Sequence, residues 1–133
     1  MKKLTILTVA FIIMSVLSFS KDNNSTIEVI YFHATMRCNG CMTIENYTQK
    51  SLNSNFGNEI KNGKILLKSI DFQQTENEHF AEKYKFDSQE LILSKKVDGK
   101  EVKWKKLDKI WDYSDNYNKY QQYIKKEIKK FLK

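Results

Sequence analysis

Arginine, histidine, cysteine, glycine and proline are all scarce in this chain. Its 133 residues include two cysteines, two histidines, four glycines, a single arginine and no proline. Two cysteines and two histidines, with His79 remote from the cysteine pair, argue against a complete tetrahedral metal site within one chain. Near absence of arginine, with no nucleic-acid motif, argues against a nucleic-acid partner. There is no phosphate loop, nucleophile elbow or paired-carboxylate motif. Internal repeats and low-complexity segments are also missing.

The chain is 41% hydrophobic with a formal net charge of +7, which suits one domain with a modest core. Much of the positive excess falls on Lys125, Lys126, Lys129, Lys130 and Lys133. Lysines in a last helical turn complement the helix dipole and ordinarily form a solvated face. The N-terminus reads as a secretory signal over residues 1–20. Lys2 and Lys3 form its charged part, Leu4 to Leu17 its apolar part, and Ser18-Phe19-Ser20 a small-x-small cleavage site. Without Lys2 and Lys3, 21 basic side chains face 16 acidic ones, a balance of +5. No cysteine follows the apolar part, so no lipoprotein anchor is expected. Membrane association is expected only if the signal is retained. The mature domain, 21–133, is expected in a bacterial periplasm or cell envelope, where disulfides persist.

Both cysteines lie in Cys38-Asn39-Gly40-Cys41. An apolar run, Ile27 to Phe32, leads in, and a helix over Met42 to Leu52 leads out. The pair therefore sits where a strand gives way to a helix. Free backbone N–H groups and the positive end of the dipole there favour a thiolate. Arg37, directly before Cys38, adds a fixed positive charge that would lower the thiol pKa further.

Thr26 to His33 is β-branched, aromatic and apolar in both registers, as in a central strand of a covered sheet. Cys41, Ile44, Thr48 and Leu52 form the inward stripe of the first helix, leaving Cys38 more exposed. Asn53 to Gly63 reads as a polar linker with a turn at Asn62-Gly63. Lys64 to Phe72 is a second strand. Glu76 to Lys85 is a short helix with Thr75 as its N-cap. Glu90 to Val97 and Glu101 to Trp104 are two strands joined at Asp98-Gly99, a hairpin signal, with lysines guarding the edge. A last helix runs from Ser114 to Leu132, with Tyr117, Tyr120, Ile124, Ile128 and Phe131 facing the sheet. Ile110 and Trp111 are expected to seal its start.

The order β-α-β-α-β-β-α, with a C-x-x-C opening the first helix, resembles the thioredoxin-like fold family. The resemblance covers nearly all of residues 21–133. It rests on the strand Glu28–His33, the motif Cys38-Asn39-Gly40-Cys41, Ile70-Asp71-Phe72 followed by a helix ending at Tyr84, the Asp98-Gly99 hairpin and the final helix. It implies an α/β fold: a four-stranded mixed sheet with helices on both faces. The chain departs from the family pattern at Arg37 and Gly40, where an aromatic residue and a proline are usual. It also lacks the cis-proline that faces the dithiol, and its matching segment is Asp87-Ser88-Gln89-Glu90.

The chemistry expected is thiol–disulfide exchange, with Cys38 as nucleophile, Cys41 as resolving thiol and Arg37 stabilising the thiolate. The partners would be protein thiols, disulfides or a redox protein; no cofactor is called for, and the chain is expected to act as a monomer. The alternative is a metal-binding or partner-binding module. In it Cys38 and Cys41 would hold Cu(I) or one edge of a Zn site, with His33 as a third donor. A fixed structural disulfide is the remaining reading, although so small a loop gains little entropy from closure. Asp71 and Glu45 are read as exposed carboxylates. Glu76, Glu78 and His79 form a charged cluster without metal-ligand spacing.

Overall fold

The computed structural model describes residues 24–133. The expected signal segment, 1–20, lies outside the described residues. Strand β1 (Ser25–His33) is the axis of the molecule. Residues Ile27 to Phe32 are all buried, as expected of a strand apolar in both registers. The sheet order is β2-β1-β3-β4. β1 runs parallel to β2 (Ile65–Asp71) and antiparallel to β3 (Glu90–Val97), and β4 (Lys100–Lys106) forms the far edge, antiparallel to β3.

Helix α1 (Asn39–Asn55) carries the expected inward stripe, with Cys41, Ile44, Thr48 and Leu52 buried. The region beyond it corrects the expected polar linker. Phe56 is buried, and a short helix α2 (Gly57–Lys61) follows. It buries none of its own residues, so it leaves no apolar stripe in the sequence. Gly63, at φ +72°, then turns the chain into β2. The helix expected over Glu76 to Lys85 is instead a 3₁₀ turn, Thr75–Asn77, and a separate helix α3 (His79–Tyr84). Thr75 lies inside the turn rather than capping it, and no side chain caps either start. Asp98 (φ 51°) and Gly99 (φ 79°) make the hairpin between β3 and β4, both in the left-handed conformation such tight turns use. Helix α4 (Tyr117–Leu132) begins three residues later than expected, because Asn116 caps it by accepting the Lys119 N–H at 3.0 Å.

Alternation along β1 divides the interior. Ile27, Val29 and Tyr31 face α1 and α4, meeting Ile44, Leu52, Tyr120, Ile124, Ile128 and Phe131. Ile30 and Phe32 face the other way, toward Tyr84 of α3, Phe86 and Ile92. Helices thus cover both faces. Among the described residues no helix is long and apolar enough to cross a membrane. The C-terminal end of β1 and the first turn of α1 come together at one end of the sheet. The cysteines are placed there.

Candidate redox site

β1 ends at His33, which pairs in register with Asp71 of β2. Residues 34–37 then lift the chain to the start of α1. This connection is tied down at two points. The Thr35 N–H donates to Gln73 Oε1 at 3.0 Å, and the Thr35 hydroxyl donates to Asp71 Oδ2 at 2.7 Å. The Gln73 N–H and Gln74 Nε2 donate to the same carboxylate. The Thr35 hydroxyl, with those donors, holds the Asp71 carboxyl below its usual range. Asp71 is a partly exposed carboxylate that fastens the connection.

Cys38 is the N-cap of α1, in extended backbone conformation. Its Sγ accepts the Cys41 N–H at 3.1 Å, and its carbonyl accepts the Met42 N–H at 3.0 Å. Cys38 and Cys41 are joined as a disulfide, with Cα atoms 5.0 Å apart. The two differ in access. Cys38 is exposed, whereas Cys41 is 1% exposed. The Cys41 carbonyl accepts a hydrogen bond from the buried Tyr31 hydroxyl at 2.9 Å, which ties the first turn of α1 to the central strand. Burial pushes the Tyr31 phenol up to about 12, so it stays protonated and keeps donating.

Arg37 is ion-paired through Nη2 with Glu45, and both side chains are 29% exposed. Glu45 is thus a half-buried partner of Arg37 rather than a free carboxylate. Burial raises its pKa, but the Ser69 hydroxyl and the Arg37 guanidinium outweigh burial, and the carboxyl lies below its usual value. The guanidinium Nε is buried and has no hydrogen-bond partner among the described residues.

His33 donates from Nδ1 to the Ala34 carbonyl at 2.9 Å. Among the described residues no three His, Cys, Asp or Glu side chains come together in a set that could hold a metal ion. His79 packs against Phe80 on α3.

Trp111 belongs to this site and was not foreseen there. A Cβ built on Gly40 would lie 3.7 Å from Trp111 Cζ3 and 4.0 Å from Cys38 Sγ, so the indole lies across the middle of the motif. Its Nε1–H donates to the Gln89 carbonyl at 3.3 Å, joining the motif to the segment just before β3. Ile110 is fully buried, as expected of a seal beneath α4, while Trp111 is 39% exposed. Met36 and Met42, on either side of the motif in sequence, are also exposed, at 85% and 48%.

Compared with known protein families and with curated proteins, the sequence matches none. What stands is a mixed α/β domain with a four-stranded mixed sheet and four α-helices, carrying a C-x-x-C pair at disulfide distance.

Proposed function

We propose that this chain is a divergent, exported member of the thioredoxin-like folds and that it works by thiol–disulfide exchange. The observation that carries the reading is the asymmetry of the pair. One sulfur is open to a partner at the first turn of a helix, and the other is buried behind it within bonding reach. A purely structural link has no need of an exposed sulfur at a helix N-terminus, where the thiolate is the favoured form. The strand order and the helices on both faces are compatible with the fold. Export rests on the sequence of residues 1–20, and a periplasm or cell envelope is the location it implies.

The reaction starts from the dithiol. The Cys38 thiolate attacks one sulfur of a partner disulfide, forming a mixed disulfide and releasing one partner thiolate. The Cys41 thiolate then attacks Cys38 Sγ, closing the intramolecular disulfide and releasing the second partner thiolate. The partner gains two electrons and the protein loses two; run backward, the same steps oxidise a partner dithiol. The Cys41 N–H that reaches Cys38 Sγ is the donor for the attacking thiolate. Partners of this chemistry are protein thiols and disulfides.

Two measurements test the reading. The wild-type protein is expected to equilibrate with glutathione buffers at a reduction potential of about −120 to −270 mV, the range of working exchange proteins. A value below about −300 mV would show a structural disulfide instead. Cys38→Ser is expected to abolish turnover of a model disulfide, and persistent turnover would sink the assignment of Cys38.

A further inference from the structure

The pair Arg37–Glu45 spans the start of α1. Arg37 immediately precedes the exposed cysteine, and Glu45 follows the buried one by a single helical turn. Arg37 is the only arginine in the chain, and Glu45 is the only acidic residue in α1. With Nε buried and unpartnered among the described residues, the ion pair to Glu45 is the polar contact that holds the guanidinium in place. Both side chains are mostly withdrawn from solvent, so their charges are less screened than those of a surface pair.

We propose that Glu45 tunes the acidity of the Cys38 thiol through Arg37. It fixes the guanidinium near the first turn of α1 and offsets its charge, so the dithiol is more reducing than an uncompensated arginine would make it. This deepens, and rests on, the redox reading of the same site. The electrostatics are simple. Arg37 favours the thiolate and Glu45 disfavours it. A stabilised thiolate stabilises the reduced protein and makes the disulfide more oxidising. Glu45 is accordingly a positioning residue: it acts on sulfur through its neighbour and takes no part in bond exchange.

The test compares chemically reduced wild type, Glu45→Gln, Arg37→Gln and the double variant. Thiolate absorbance is followed against pH, and each protein is then equilibrated with glutathione. Glu45→Gln is expected to lower the Cys38 pKa and to shift the glutathione equilibrium about three- to tenfold toward reduced protein. Arg37→Gln should shift both readouts the other way, and in the Arg37→Gln background Glu45→Gln should have a much smaller effect than in wild type, a departure from additivity that marks a coupled pair. Glu45→Asp, which keeps the charge, should stay near wild type and separates a charge effect from damage to α1. The proposal is overturned if Glu45→Gln folds but leaves the thiol pKa unchanged or raises it. A wild-type disulfide that never equilibrates with glutathione would defeat the exchange reading instead. The thiol titration, made on chemically reduced protein, would still decide the role of Glu45.

Discussion

On one face of the sheet, α1 and α4 enclose fifteen buried apolar side chains among the described residues; on the other, α3 encloses five. The second face makes up the shortfall with ions. Glu28, its side chain only 8% exposed, accepts from Lys68 at 2.6 Å and Lys96 at 2.9 Å. Glu101 accepts from the Tyr84 hydroxyl at 2.7 Å, from Ser94, and from Lys83 at 3.0 Å. On the first face Glu127 of α4 is held by Lys105 and Lys130 at its rim, and Glu45 of α1 by Arg37. The contrast has a physical meaning. Apolar burial has no titration of its own, whereas buried carboxylates tie stability to their protonation. A short helix such as α3 cannot cover a whole sheet face, and the uncovered part needs polar groups that satisfy one another.

The sharpest test of this contrast is a matched pair of truncations. Ile124→Ala, at a fully buried position of α4, is expected to cost about 2–5 kcal/mol in denaturant unfolding. Ile70→Ala, half-buried on the α3 face, should cost about half as much. Equal losses would mean that the two faces carry equal weight.

The second test uses pH. Burial pushes the Glu90 carboxyl up to about 7, with Lys106, 3.9 Å away, opposing the shift only in part. A raised folded-state pKa means that the native protein binds the proton more tightly than the unfolded chain does. Stability from this group is present below about 4.5 and is lost as pH rises toward 7. Glu28 and Glu101 behave oppositely. Burial raises them, but their hydrogen bonds and lysines outweigh it, so their carboxyls lie below 4.5 and their contribution is lost in acid. Stability should therefore peak in mildly acidic solution. Glu90→Gln should remove the decline on the alkaline side, worth on the order of 2–3 kcal/mol between pH 5 and 8. An unchanged pH profile in that variant would show that Glu90 titrates normally.

The smallest effect expected is that of Glu28→Gln. It should cost about 1–2 kcal/mol at neutral pH, less in high salt, and lose its effect as pH falls through the carboxylate range. A cost that persists in acid would point to packing rather than charge.

The strands and long helices were legible because their signals are local. The apolar registers of Ile27 to Phe32 and the stripe Cys41, Ile44, Thr48, Leu52 each lie within one element. Asp98-Gly99 announces its turn for a similar reason: the pair tolerates positive φ. What escaped depends on distant partners or lacks an apolar stripe. α2 buries none of its residues, so no periodicity marks it. Trp111 reaches Gly40 across seventy-one positions of sequence, and its neighbour Ile110 gives no hint that the indole turns toward the cysteines. Arg37 and Glu45 are eight residues apart and straddle a helix start, a spacing outside the three- and four-residue pairings of regular helix. Thr35 and Asp71 meet only because β1 and β2 run parallel with His33 opposite Asp71.

The atom that caps α1 is a sulfur. The usual cap is an oxygen whose strength as an acceptor is constant. Here it is Cys38 Sγ, and sulfur changes as an acceptor with its electron count, from a weak neutral atom in the disulfide to a full anion in the thiolate. The firmness of the helix's first turn is thereby an electrical variable. Amide exchange at Cys41, read residue by residue, would serve as a gauge of redox state built into the backbone itself.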